Sequence, residues 1–430
     1  MNLDKFLKHP LLKSSIIYTV SDAINSAVPF FILPVLSFYL VPADYGIVAN
    51  FNILLSIISI FIVVGVDSAI SASYFKLSHQ ELSKYIFNGI VIIIVSTIII
   101  SLLVFLFNKT IYSFVRIPLS YQLATIFMAM TMAFANVNLS LWRLEEKAFK
   151  FGAYQISQTF LNTGLSLLLV VVYQLGWIGR VNGMIITSIS FGLLSLIILY
   201  RRGFINFKYN LQLISGILAF GLPLIPHMLS FWLRSGVDRI LITKYIGESA
   251  TGLYATGFQF GILISFLTGA FNNAFVPYMY KLLSEKDEKK LAKNKENLKK
   301  LIMIGVGLLV FLCILFTFVS KIILVNFFSE RYTSASQFIF WAVLAQTFQG
   351  MYLFFVNYIF FMKKTKGLAT ITFSCAMLQI ILSYIFVRTI GAIGAAYATA
   401  IVSFINFVIV AWYSNKVFPM GWFNKKIMFK

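Results

Sequence analysis

Long uninterrupted apolar runs recur along the whole chain and limit the folds that it can adopt. Of its 430 residues, 60% are hydrophobic and 11% are charged, whereas soluble domains carry about 25% charged residues. Because lipid offers the backbone no hydrogen bonds, runs of this length must be helices or parts of a closed barrel. The runs lack the ten-residue alternation of barrel strands. The sequence therefore predicts an all-α membrane protein.

We predict about twelve membrane-spanning helices with no soluble domain of useful size between them. The first run is too polar for a secretory signal, because it contains Asp22 and Asn25, and no small-residue cleavage site follows it. Cys313 and Cys375 lie in apolar runs, which favours neither disulfides nor a metal cluster. The predicted spans cover residues 14–38, 46–72, 86–107, 119–142, 153–174, 178–200, 216–243, 252–276, 301–324, 335–360, 367–388 and 391–413.

The net charge of +21 follows the predicted membrane topology. Most of the 35 Lys and Arg residues fall on alternate connecting segments that begin with the N-terminus, from Lys5 and Lys8 to Lys425, Lys426 and Lys430. The positive-inside rule then predicts cytoplasmic N and C termini. The basic charge is therefore no evidence for a nucleic-acid partner.

A weak internal repeat divides the chain into two halves. The turn LVPADYG matches IGESATG in one register, so that Gly46 corresponds to Gly252. We predict two parallel six-helix bundles, residues 1–205 and 206–430, around a central cavity, which is typical of alternating-access transporters. The charged linker 281–300, between the eighth and ninth helices, is expected to form a solvated amphipathic helix at the cytoplasmic surface.

The seventh span carries charged groups that are costly in lipid. His227, Arg234 and Asp238 are spaced by seven and four residues and share one helical face. One interpretation is an i,i+4 ion pair between Arg234 and Asp238. The other is a cationic lumen for an anionic substrate, because guanidinium groups match phosphate oxygens. If the helix ended at Leu233, the charges would lie in an outer loop instead. The candidate lumen residues are Arg234, Arg239, Arg143 and Arg180.

Other polar groups form stripes along predicted spans, where they either face a lumen or join helices by hydrogen bonds. Prolines in the first helix of each half remove amide donors and are predicted to make these helices the moving gates. The candidate ion-coupling or polar lumen residues are Asp22, Asn25, Asp67, Asp238, His227 and Asn162, and the candidate gating prolines are Pro29, Pro34, Pro223 and Pro226.

The segment FGLPLIPHMLSFWLRSGVDRILITKYIGESATGLYATGFQFG, followed by AFNNAFVPYMYKLLSEKDEKK, resembles the Wzx-type polysaccharide repeat-unit flippases. These are exporters of the multidrug, oligosaccharidyl-lipid and polysaccharide superfamily. The similarity is strongest from Phe220 to Lys290, and the PADYG, GRVNG and GAIGAA segments extend it over nearly the whole chain. The resemblance implies two six-helix bundles and cationic residues in the lumen.

The resemblance also implies a function in the bacterial cytoplasmic membrane. Such proteins translocate undecaprenyl-pyrophosphate-linked oligosaccharides for O-antigen lipopolysaccharide, capsule or similar glycans. They need no ATP site, and no GxxxxGK[ST] motif occurs here. The implied partners are the lipid-linked substrate, membrane lipids, H⁺ or Na⁺, and polysaccharide polymerase machinery, with no cofactor. The alternatives are an ion-coupled multidrug antiporter of the same superfamily, or a membrane polysaccharide polymerase or glycosyltransferase with Asp44 in its first external turn.

Overall fold

The computed structural model describes residues 10–420, and all regular secondary structure within that range is helical. Short 3₁₀ turns, Leu222–Leu224 and Glu330–Ala335, and a π-helical turn, Leu168–Val172, join some of the helices. The α-helices are α1 Pro10–Tyr39, α2 Pro42–Val63, α3 Val66–Ser73, α4 His79–Leu106, α5 Asn108–Val115, α6 Leu119–Leu144, α7 Ala148–Leu167, α8 Gly176–Arg201, α9 Leu211–Gly221, α10 Ile225–Tyr245, α11 Glu248–Leu283, α12 Glu288–Phe327, α13 Ser336–Phe361, α14 Thr365–Ile390 and α15 Ala392–Val417.

Within residues 10–420, twelve helical segments are long and apolar enough to cross a membrane, which confirms the predicted number. The protein is thus a multi-pass membrane protein. The lysines at both chain ends, such as Lys5 and Lys430, lie outside the described residues. The cytoplasmic location of the termini remains a prediction.

Two predicted spans are interrupted in the structure. The second span, predicted to run to residue 72, ends at Val63, because Val64 and Gly65 have positive φ angles of 46° and 67°. The chain then continues as the short helix α3. The seventh span contains a 3₁₀ turn at Pro223, which separates α9 from α10. By contrast, α1 continues through both Pro29 and Pro34.

The structure shows where α10 ends and where α12 begins. Helix α10 is continuous to Tyr245, so Arg234 and Asp238 lie in a helix and not in a loop after Leu233. The charged linker is not a helix of its own. From Glu288 it forms the first turns of the 40-residue helix α12, whose N-terminus is capped by the Asp287 carboxylate.

The chain divides into two compact units. One runs to Trp232 and includes Gly247–Gly252; the other comprises Leu233–Ile246 and the chain from Leu253 onward. In the first unit α1 packs on α7, and α6 packs on α2 and α8; in the second, α15 packs on α13 and α14. The predicted boundary at residues 205 and 206 remains a prediction.

Within the first unit, the two turns matched by the repeat pack against each other. A Cβ on Gly46 would lie 2.0 Å from the carbonyl oxygen of Glu248, and a Cβ on Gly252 would lie 1.8 Å from that of Pro42. Pro42 corresponds to Glu248 in the repeat register, so the two contacts are reciprocal. Only glycine allows the backbones to approach this closely.

Candidate functional sites in the two units

The second unit encloses a carboxylate, Asp238 on α10, which is only 4% exposed. Its Oδ2 accepts hydrogen bonds from the Tyr254 hydroxyl at 2.8 Å and the Thr399 hydroxyl at 2.5 Å. Its Oδ1 accepts from the Gln379 side-chain amide at 2.9 Å and the Ser383 hydroxyl at 2.5 Å. Four helices, α10, α11, α14 and α15, therefore meet at one carboxylate. We call these five residues the Asp238 cluster.

Neutral groups stabilise the charge of Asp238. Hydrogen bonds to a charged group contribute about 1.5–3 kcal/mol each, so several of them can support a buried carboxylate without a cation. Within the described residues no ion pair joins Asp238 to Arg234, so the ion-pair interpretation is wrong. Gln379 and Ser383 could be recognised as an inward polar face of their helix, whereas nothing in the sequence pointed to Tyr254 or Thr399.

Arg234 is one turn before Asp238 and has a different environment. Its Nη2 donates to Oε1 of Gln349 on α13 at 3.0 Å, and the side chain is half-buried. Within the described residues no carboxylate pairs with Arg234. A guanidinium held by a neutral amide keeps its positive charge and donors for an anion.

The other candidates on α10 lie apart from Arg234. Arg239 directly follows Asp238 in the chain and is partly buried. His227 is exposed, and its ring packs edge-on against Phe231 with centroids 5.0 Å apart. The shared helical face of His227, Arg234 and Asp238 therefore does not bring the three into one contact network.

The first unit holds a charged side chain in a similar way. Nη1 of Arg180, on α8, donates to Oδ1 of Asn162 at 2.8 Å and to the Ser166 hydroxyl, both on α7. Gly179 and Gly183 allow close packing, because a Cβ on Gly183 would lie 2.8 Å from Ser166 of α7 and one on Gly179 would lie 2.8 Å from Leu169 of the π-helical turn that follows α7. This spacing of small residues is a common helix-packing motif in membranes.

Arg143 occupies a separate place in the same unit. It is exposed at the end of α6, and its guanidinium lies 4.9 Å from the ring centroid of Phe151. From Phe151 to Asn162, the contact of Arg180, the helix rises about 16 Å. That the four arginines line one lumen remains a prediction.

Three polar candidates belong to α1 and α3. Asp22 is exposed, and Asn25 accepts a hydrogen bond from the Thr159 hydroxyl of α7. Asp67 is in the first turn of α3, and its buried Oδ1 has no hydrogen-bond partner among the described residues. Of these three residues, Asn25 is the one for which the described part of the chain shows an interhelical hydrogen bond.

A polar cavity of about 500 Å³ in the first unit was not expected from the sequence. Glu145 forms ion pairs there with Arg202 and Lys147, and Arg202 also lies over the ring of Phe204. Arg202 comes from a different connecting segment than Glu145 and Lys147, so no local motif indicates that it meets them.

The class of protein follows from the twelve helices and their arrangement. The chain matches an inward-facing structure of a multidrug resistance MATE family transporter of the MOP superfamily with a TM-score of 0.72 and 14% identity, over 94% of this chain and 95% of that chain. It matches the lipid II flippase MurJ, in an inward closed conformation, with a TM-score of 0.71 and 17% identity, over 94% of this chain and 87% of that chain. The fold is therefore that of these transporters and flippases.

The chain belongs to the polysaccharide biosynthesis protein family, whose model matches residues 35–337. It is similar to two proteins of Haemophilus influenzae. One, an uncharacterized membrane protein, is 28% identical over 91% of this chain and 92% of its own. The other, Lsg locus putative protein 1, is 26% identical over 86% of this chain and 89% of its own. The family and fold predicted from the sequence are confirmed.

Proposed function

We propose that the protein is a flippase that moves undecaprenyl-pyrophosphate-linked oligosaccharide repeat units across the bacterial cytoplasmic membrane by alternating access. The glycans would serve O-antigen, capsule or exopolysaccharide assembly. The family, which belongs to polysaccharide biosynthesis, and the fold, which includes a lipid II flippase, support this proposal. No observation favours the polymerase or glycosyltransferase alternative.

The strongest support for this proposal is the environment of Arg234. A pyrophosphate needs fixed cationic donors, and Arg234 is held in place by Gln349 with no carboxylate competing for it among the described residues. Guanidinium–phosphate contacts are short, charge-assisted and often bidentate. Arg234 would bind the pyrophosphate, with Arg239, Arg180 and Arg143 as further candidates, while the polyprenyl chain stays in lipid.

The Asp238 cluster supplies a candidate coupling site. Binding of H⁺ or Na⁺ would remove the negative charge that four neutral donors share. Those donors lie on α11, α14 and α15, so loss of the charge would weaken the contacts that join these helices to α10. Cation binding at one residue would in this way change the packing of a helix bundle.

A reconstituted assay tests the anion site. Purified protein is placed in liposomes with fluorescent undecaprenyl-diphosphate glycans from native membranes, and the label that reaches the opposite leaflet is quenched. Arg234→Ala should slow flipping at least tenfold, and Arg234→Ala with Arg239→Ala should abolish it, because the pyrophosphate loses charge-assisted bonds. Arg388→Ala, at an exposed arginine that donates to Tyr384, is the matched control. Full flipping by the double variant would refute the proposal.

A cation-coupled multidrug antiporter is the second candidate, because the fold matches a multidrug transporter as well as it matches a flippase. Such a protein would need an acidic group in its binding site, and Asp22 is exposed on α1. The same liposomes, loaded with an organic cation such as ethidium under a proton or sodium gradient, separate the two functions. Gradient-driven ethidium movement without glycan flipping would favour the antiporter.

A further inference from the structure

Helices α1 and α7 of the first unit meet along a polar seam. Ser21 lies against Gly152, and the Thr159 hydroxyl donates to Asn25, so the two helices are in direct contact. Each helix contributes polar residues spaced by four and then three positions, which places them on one face. We call these residues the α1–α7 seam: Tyr18, Asp22 and Asn25 on α1, and Gln155, Thr159 and Asn162 on α7.

Much of the hydrogen-bonding capacity of the seam is unused. The Tyr18 hydroxyl and Oε1 of Gln155 are buried and have no partner among the described residues. Asp22 and Asn25 are exposed, and Asp22 forms no ion pair within the described part of the chain. Lipid tails cannot satisfy such groups, and a charged side chain facing lipid is strongly disfavoured. The seam therefore borders water or a polar ligand.

The chemistry of the seam favours a neutral ligand rich in hydroxyl groups. The carboxylate of the seam accepts hydrogen bonds, whereas its three side-chain amides and its phenol both accept and donate them. Asp22 would repel a phosphate, whereas it would accept hydrogen bonds from hydroxyls. Arg180 contacts only the far end of the seam, where Asn162 and Ser166 already hold it. Sugar rings of an uncharged glycan meet these requirements.

We propose that the α1–α7 seam binds the sugars of the transported glycan and that Asn25 and Gln155 determine which glycan is accepted. This inference rests on the proposed flippase function, to which it adds the residues of the first unit that would recognise the carbohydrate.

Two probes test the inference in proteoliposomes. One is undecaprenyl-diphosphate carrying a single sugar, and the other is the complete lipid-linked glycan extracted from cells that express the protein. Gln155→Leu and Asn25→Leu should each slow flipping of the complete glycan about fivefold, and about 20-fold together, since each loses one hydrogen bond to it. Flipping of the single-sugar lipid should stay within twofold of wild type, which also shows that the variants fold.

Ser157→Leu is the matched control, because Ser157 is exposed on the opposite face of α7, two residues from Gln155. It should leave both rates unchanged. Equal losses on the two probes would overturn the inference, because they would show a role in helix packing or coupling. Unchanged rates for both probes in the Gln155→Leu, Asn25→Leu double variant would also overturn it. A wild-type protein that moves neither probe would refute the proposed function itself.

Discussion

Arg180 in the first unit and Asp238 in the second are charged side chains of opposite sign on long helices. Within the described residues neither has an ion-pair partner; each is held by amide and hydroxyl groups of other helices. Neutral partners satisfy the hydrogen-bonding needs of the charge without cancelling it. The comparison indicates that this chain keeps charges available inside its helix bundles.

The two charged side chains differ in their burial and in the number of helices that they join. Asp238 is almost fully buried and joins four helices, whereas Arg180 is half-buried and joins two. Removing the buried carboxylate would leave its donors unsatisfied and out of reach of water. Unsatisfied buried donors lower the free energy of unfolding. We therefore expect Asp238 to matter more for stability than Arg180.

The largest effect is expected for Asp238→Ala. The substitution leaves the Tyr254 hydroxyl and the Gln379 amide without their carboxylate, so the free energy of unfolding should fall by about 3 kcal/mol. Asp22→Ala is the control, because Asp22 is exposed, and should change it by less than about 0.5 kcal/mol. Thermal unfolding of the purified protein in detergent measures both. Equal midpoints for the two variants would contradict a structural role of the Asp238 cluster.

The close backbone contact between the two repeat turns can be tested by a substitution at Gly46. Gly46→Ala places a Cβ 2.0 Å from the Glu248 carbonyl oxygen, which forces the backbones apart and should destabilise the protein by about 2 kcal/mol. Gly269→Ala in α11 is matched, because its Cβ would meet no atom within 4 Å, and should stabilise by up to about 1 kcal/mol. The same thermal measurement applies. Two variants that shift in the same direction would refute the reciprocal contact.

A smaller effect is expected for Arg180→Met. It removes the hydrogen bonds to Asn162 and Ser166, but the side chain is half-buried and joins only two helices, so the loss of stability should be about 1 kcal/mol. Arg180→Lys should recover part of it by keeping one donor to Asn162. A destabilisation as large as that of Asp238→Ala would show that the two sites are equally structural.

Much of the fold could be predicted from the sequence, because the hydropathy of a segment depends only on the residues within that segment. Twelve apolar runs, each long enough to cross a bilayer, specify the helices whatever their neighbours are. The correspondence of Gly46 with Gly252 could also be recognised in the sequence, since both turns have a glycine at the same position. The break at Val64 was missed, because no proline marks it, whereas Pro223 was recognised as a place where an amide donor is lost.

The candidate site was predicted less well. Spacing on α10 placed Arg234 and Asp238 on one helical face and allowed an ion pair between them. The structure instead gives each its own partners on other helices, Gln349 for Arg234 and Gln379 with Ser383 for Asp238. Helical periodicity tells which residues share a face, and it does not tell which helix that face meets.

The sequence by itself determined the membrane-protein class of this chain and its polysaccharide biosynthesis protein family, because local composition and short motifs carry both kinds of information. Only the tertiary structure decided that Arg180 and Asp238 are held by neutral groups. Their partners lie up to 161 residues away along the chain. Such contacts depend on how helices pack, which local sequence patterns do not encode.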